Sequence, residues 1–350
     1  MKLQLLRRKP TGSKGGEREI LTRKERKAIA LLERFIPDGL SHAATAFVES
    51  LKINTISEKR RRGRLVVIKR RNIFGERGAD LINFYFRVAG ITIRYLSNVR
   101  DWRRWEASCF QMLNGDRFRA KITDARTVCL DKLPGQSLWD HMNQGTLNKR
   151  MLESAGKEYR RAHQFWRDEF GGPWSHGDAS MPNVIYDEKT RRARLIDFEI
   201  MHEKSLPATT RHADDLLIFL LDMVDRVPTR QWLPFTTCFV KAYAERDVIA
   251  EFQKRLVIPR GLALVWWDVR TNFAKTGKVE RRLRTLRNAI SKLQFYRPSP
   301  AERARQRRRA SKICQEINPG MPRASSRTLA ISDKAKAASP GIPRRLPTTR

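Results

Sequence analysis

One stretch, Trp174 to Leu221, constrains the fold more than any other part of this chain. It opens with a polar loop, Ser175-His176-Gly177-Asp178-Ala179-Ser180-Met181-Pro182-Asn183. Two short β-type runs follow, Val184-Ile185-Tyr186 and Arg194-Leu195-Ile196. Pairing them as a hairpin returns Asp197 to the side of Asn183. Farther on, Leu216–Leu221 is apolar on every side, the pattern of a helix buried in a core. Loop, hairpin and buried helix together demand a globular core of mixed elements.

The flanking sequence divides at Pro134-Gly135. Before it the spacing predicts three strands, at Leu65–Ile68, Leu81–Val88 and Ile91–Leu96. A turn with Gly75 and Gly78 separates the first two, and a further strand-like stretch surrounds Val128-Cys129-Leu130. One helix is predicted from Asp101 to about Leu113, with Trp102, Trp105, Cys109, Met112 and Leu113 at helical spacing. After Pro134-Gly135 the chain reads as mostly helical. Leu147, Met151, Ala155, Tyr159, Ala162 and Trp166 fall on one face. The expectation is an α+β protein in two lobes. Its bounds read as a basic, partly helical extension over 1–40, a small antiparallel β lobe over 41–133, a larger helical lobe over 134–296 and a basic disordered tail over 297–350.

The polar loop suits one chemistry in particular. Phosphoryl transfer needs a carboxylate that orients the attacking hydroxyl and accepts its proton, and oxygen ligands that hold Mg²⁺ against the phosphates. Asp178 meets the first need from a loop. Asn183 at the loop's far end and Asp197 at the end of the hairpin meet the second.

These residues resemble the protein-kinase-like superfamily, and within it the aminoglycoside/choline/lipopolysaccharide kinase branch. His176-Gly177-Asp178 through Asn183 is similar to that branch's HGDxxxxN loop, and Ile196-Asp197-Phe198-Glu199 stands where protein kinases have DFG. Ala213-Asp214-Asp215-Leu216-Leu217 resembles the start of the buried helix whose Asp braces the catalytic loop, with Asp215 the better fit. Leu133–Leu138 looks like the segment that joins the lobes. The resemblance spans residues 64–240 and is sharp between 174 and 221. It implies an ATP- and Mg²⁺-dependent kinase with a two-lobed fold. Asp178 would be the base, Asn183 and Asp197 metal ligands, and His176 and Asp215 supports of the loop.

The family also places a Lys on a strand of the small lobe, gripping the α/β-phosphates and paired to a helix Glu. Glu106 is the candidate Glu. Its partner is either Arg94, on the third predicted strand, or Lys69, in Val66-Val67-Ile68-Lys69 on the first. Gly75-Glu76-Arg77-Gly78 is the candidate phosphate-covering turn. Gly177 before Asp178, Ser180 two after it, and the short span from Asp197 to Asp215 without Ala-Pro-Glu argue against a protein substrate. The acceptor expected is a hydroxyl of a small molecule or glycan. Trp102-Arg103-Arg104 ahead of Glu106 is similar to the lipopolysaccharide-kinase subgroup, pointing to a lipopolysaccharide-core sugar.

Charge adds a partner class. Lys and Arg number 72 against 37 Asp and Glu, a formal net of +35. Residues 1–30 hold 10 basic and 3 acidic residues and residues 297–350 hold 14 and 3, so the ends carry about half of the excess. Such ends attract anionic surfaces, and Arg305-Gln306-Arg307-Arg308-Arg309 reads as a membrane-binding cluster. Without a spanning run or secretory leader, and with four scattered cysteines, the expected address is cytoplasmic, peripheral to a membrane. Two other readings stand beside the kinase. One is a pseudokinase that binds nucleotide or a partner without catalysis. The other is a basic nucleic-acid-binding protein, opposed by the lack of zinc-finger spacing or a stacking platform.

Overall fold

The computed structural model describes residues 53–61 and 63–293. The basic, partly helical extension predicted over 1–40 and the tail predicted over 297–350 lie outside the described residues.

The first part of the chain forms β1 (Asn54–Arg61), β2 (Arg64–Arg71), α1 (Gly75–Val88), β3 (Ile93–Tyr95), α2 (Val99–Asn114), β4 (Ala120–Asp124) and β5 (Thr127–Asp131). Four of its strands make one antiparallel sheet in the order β1-β2-β5-β4. The second part contains β6 (Gln136–Ser137), α3 (Leu138–Asn143), α4 (Lys149–Ala162), β7 (Trp166–Arg167), β8 (Gly172–Pro173), β9 (Val184–Asp187), β10 (Arg192–Leu195) and β11 (Ile200–His202). Helices α5 (Ala208–Leu221), α6 (Thr229–Tyr243), α7 (Arg246–Arg255), α8 (Leu262–Arg270) and α9 (Thr276–Ser291) complete it. The architecture is the expected one: α+β, with a small antiparallel sheet region and a larger, mainly helical part.

Inside the small lobe the strand expectations need correcting. Leu65–Ile68 belongs to the second strand, because β1 precedes it and was not foreseen in a segment as polar as Asn54–Arg61. Leu81–Val88 is not a strand but the end of α1. Its aromatic and β-branched content suggested a strand, yet its buried residues Ala79, Ile82 and Phe86 are three and four apart, the spacing of a helical face. They pack with Ile53, Ile93 and Ile200 in one cluster. Gly75 and Gly78 lie in the first turn of α1, so the segment does not form a phosphate-covering hairpin. Strands β1 and β2 pair antiparallel from Asn54 to Arg71, and Gly63 between them has a positive φ of 77°. Asn83 on α1 ties the helix to β3, donating to the Tyr95 carbonyl at 2.9 Å and accepting from its N–H at 2.7 Å.

Helix α2 forms where expected, capped by Asn98, whose side chain accepts from the N–H groups of Arg100 and Asp101. Its buried face carries Trp102, Trp105, Glu106, Cys109 and Leu113. In the larger lobe, α4 buries Met151, Ala155, Tyr159 and Ala162, whereas Trp166, expected on the same face, sits in β7 and is exposed. A Cβ on Gly156 would lie 2.5 Å from the Phe239 carbonyl, so glycine is what permits α4 to pack this closely on α6. Every residue of Leu216–Leu221 in α5 is buried. Among the described residues no helix is long and apolar enough to cross a membrane.

Candidate active site

Lys69 lies on β2, where Val66, Lys69 and Arg71 are buried. The Lys69 ammonium is 2.7 Å from Glu106 Oε1 and 2.7 Å from Asp197 Oδ1. Burial works against its charge, but the carboxylates of Asp197 and Glu106 outweigh burial and raise its pKa above the ordinary lysine range. Glu106 is fully buried, and its second oxygen accepts from the Phe198 N–H at 2.8 Å. One carboxylate on α2 therefore fixes both the lysine and the backbone that follows Asp197. Two turns along α2, Asn114 donates to the Leu195 carbonyl at 3.0 Å and docks the helix on β10.

Of the two residues put forward for the phosphate grip, only Lys69 stands beside Glu106. Arg94 projects from β3, which pairs with β11, and its guanidinium lies 3.6 Å from the Met201 sulfur. The misplacement follows from the strand count: with β1 counted and Leu81–Val88 helical, Lys69 moves to the second strand of the sheet and Arg94 leaves it.

The hairpin forms as expected. Val184 pairs with Leu195, Ile185 with Arg194 and Tyr186 with Ala193. The Ile196 N–H donates to the Asn183 carbonyl at 3.0 Å, which sets the loop's end beside Asp197. Asp197 has φ of 67°, a left-handed conformation that a non-glycine residue adopts at a cost. The turn sends Phe198 into the core against Trp174 and His176 while the Asp197 carboxylate faces Lys69.

The loop itself is held by side chains on all sides. His176 donates from Nε2 to the Ile196 carbonyl at 3.0 Å, and its Nδ1 accepts from the Asp178 N–H at 3.3 Å. Asp215, fully buried on α5, accepts from the N–H groups of His176 at 2.8 Å and Gly177 at 2.9 Å. It also accepts from His163 Nε2 at 3.0 Å. Burial alone would push the Asp215 carboxyl up, but the surrounding histidines, His202 first and then the hydrogen-bonded His163, hold it well below the usual carboxylate range. Gly177 has φ of 84°, and a Cβ there would come within 3.0 Å of the Ile200 carbonyl and of Met201 Cα. Asn183 donates from its amide nitrogen to the Asp178 carbonyl at 2.9 Å and to the Asp178 carboxylate at 3.1 Å. Its amide oxygen is then the atom able to ligate a cation.

Three residues of this site were not foreseen. Asp222, at the end of α5, accepts from the Met181 N–H at 2.7 Å and is pushed up to about 6, chiefly by burial. Glu199 is half-buried near Asp197 and accepts from the Asn54 side chain. Arg270, on α8, donates from Nη2 to Asp178 Oδ1 at 2.5 Å. Burial disfavours a charged Asp178, yet the Arg270 guanidinium prevails and lowers its pKa below the ordinary aspartate value. Asp222 and Glu199 had local cues, at the end of the apolar helix and in Asp-Phe-Glu. Arg270 had none: it lies 92 positions from its partner.

Mg²⁺ is bound in nucleotide sites by one or two side-chain oxygens, the remainder coming from phosphates and water. The Asn183 amide oxygen and the Asp197 carboxylate fit that donor set, and Lys69 fits a grip on phosphate.

No protein-family model matches the sequence, and no curated protein matches it. Among solved structures the chain is similar to an ethanolamine kinase of Plasmodium vivax, at 10% identity over 72% of this chain and 81% of that one, with a TM-score of 0.40. It is also similar to Rv3197 of Mycobacterium tuberculosis, solved with erythromycin, at 14% identity over 84% and 82%, with a TM-score of 0.32.

Proposed function

We propose that this protein is an ATP- and Mg²⁺-dependent phosphotransferase of the protein-kinase-like superfamily, acting on a hydroxyl of a small molecule or glycan. The observation that carries this reading is the single cluster in which Lys69 touches both Glu106 and Asp197 while Asp215 and Asn183 fix the loop bearing Asp178. In this reading Asp178 orients the acceptor hydroxyl and takes its proton. Lys69 grips the α/β-phosphates, Asn183 and Asp197 hold the cation, and Glu106 keeps Lys69 in place. When bound, Mg²⁺–ATP supplies the phosphoryl group and the charge neutralisation that its transfer requires. His176 and Asp215 touch no reacting atom; they set the backbone on either side of Gly177.

The absence of an activation segment between Asp197 and Asp215 favours a non-protein acceptor, in the manner of the aminoglycoside/choline/lipopolysaccharide kinase branch. A lipopolysaccharide-core sugar agrees with Trp102-Arg103-Arg104 and with basic ends suited to an anionic membrane surface. The test is Mg²⁺-dependent ATP turnover by wild type and Asp178→Ala, alone and with lipopolysaccharide, aminoglycoside and choline-type acceptors. Turnover that needs one acceptor and vanishes in the variant is the expected result. Nucleotide binding without Asp178-dependent turnover on any acceptor would shift the reading to a pseudokinase. The ion pair that occupies Asp178 is the observation favouring that second reading.

A further inference from the structure

Arg270 pairs with Asp178, the residue assigned to the acceptor hydroxyl, and nothing in the chemistry assigned to Asp178, Asn183 and Asp197 requires it. Its side chain is 12% exposed, and the guanidinium lies 4.5 Å from the centre of the Trp266 ring. Nη2 reaches Asp178 at 2.5 Å, while Nε is buried without a hydrogen-bond partner. Asp222 and Tyr95 are the other groups close enough to act on its charge. A buried guanidinium with an unused donor is costly unless a ligand completes it.

We infer that the acceptor carries an anionic group, phosphate or carboxylate, beside its reactive hydroxyl, and that Arg270 is the specificity-determining residue that binds it. The inference rests on the phosphotransfer reading of Asp178. In the free protein Asp178 is the counter-ion of Arg270, so the base is masked by the cation that stands next to the acceptor's place. A neutral acceptor that engages Asp178 leaves Arg270 buried and unpaired, which is the expensive arrangement. An acceptor with its own anion takes over as counter-ion and frees the Asp178 carboxylate for the hydroxyl. Discrimination then comes from the penalty against the wrong ligand as much as from the contact with the right one. Arginine suits this task better than lysine, since its planar fork matches a carboxylate or phosphate and sits over the Trp266 ring.

Matched probe pairs test this by calorimetry on the full chain: glucose 6-phosphate against glucose, glucuronate against glucose, and glycerol 3-phosphate against glycerol. In wild type the anionic member of at least one pair should bind tenfold or more tightly than its neutral partner, and the phosphate and carboxylate pairs distinguish the two anions. Arg270→Gln should bring that ratio close to one, and Arg270→Lys should keep part of it. The formal charge of +35 is almost unchanged by either variant, so a general attraction of anions would survive both. Asp178→Asn removes the competing carboxylate and should raise the ratio, an effect that a purely structural Arg270 would not give. Equal binding within every pair by wild type overturns the inference, as does a ratio that persists in Arg270→Gln. Anion preference that depends on Arg270 in a protein without Asp178-dependent ATP turnover would retain the anion site and remove the phosphotransfer reading.

Discussion

Lys69 and Glu106, 37 positions apart, meet at 2.7 Å with side chains 6% and 0% exposed. A pair so thoroughly removed from water is intolerant of losing one member, because the survivor remains as an uncompensated buried charge. Lys69→Met is expected to cost on the order of 3 kcal/mol in a chemical denaturation series. Lys69→Arg keeps the charge but brings a planar fork into a space shaped for an ammonium, so it should not restore nucleotide affinity. Wild-type affinity for ATP in Lys69→Arg would contradict the assigned grip.

Asp215 makes the loop's stability depend on acid. Its folded pKa is depressed, so its contribution is complete above the unfolded carboxylate pKa, near about 4, and is lost as pH falls below it. His163 adds to the same trend at higher pH. Its Nε2 lies 3.0 Å from Asp215 and its Nδ1 2.8 Å from the Tyr243 hydroxyl. Burial lowers its pKa, and stability falls once the unfolded imidazole begins to protonate, below about 6.5. Denaturation between pH 7 and pH 3 should show wild type losing stability over both ranges. Asp215→Asn should be less stable at pH 7 and show a shallower decline below pH 5. Parallel pH profiles would refute the assignment.

Gly177→Ala places a Cβ against the Ile200 carbonyl at a backbone conformation that L-residues rarely adopt. The expected cost is about 1–3 kcal/mol, accompanied by a fall in turnover larger than any change in nucleotide affinity. The displaced loop carries Asp178, whereas Lys69 sits on a different lobe. Measuring kcat together with the Kd for ATP separates the two effects.

Residues 297–350 supply much of the excess positive charge. Their removal should weaken binding to vesicles containing anionic lipid and flatten its dependence on salt, while binding to neutral vesicles stays the same. Sedimentation at a series of ionic strengths measures both, and identical curves would exclude the tail as a membrane-binding element.

The larger lobe was legible because its signals are local. The loop from His176 to Asn183, the hairpin that follows and the apolar run Leu216–Leu221 each declare themselves within a few residues. Asp215 was placed next to the loop by the family resemblance of the segment that opens that run. The small lobe was harder. Leu81-Ile82-Asn83-Phe84-Tyr85-Phe86 has strand composition, and packing of Ala79, Ile82 and Phe86 on one cluster overrides that preference. Strand β1 has hardly an apolar residue on either face and is held by pairing with β2, which no single-chain pattern reveals. That miscount placed Lys69 one strand early and left Arg94 as its rival. Arg270 depends on tertiary structure altogether, since its role arises from where α8 lands.

Helix α8 is anchored at both ends to different parts of the molecule. The Tyr85 hydroxyl of α1 donates to the Leu262 carbonyl at 3.0 Å, and Trp266 meets Phe86 edge-on at 5.0 Å. At its other end Arg270 holds Asp178. Nine residues of helix make a rigid strut about 13 Å long between the small lobe's helix and the catalytic loop. A movement that draws α1 away from the loop must therefore snap the fastening at Tyr85 and Phe86 or drag Arg270 off Asp178.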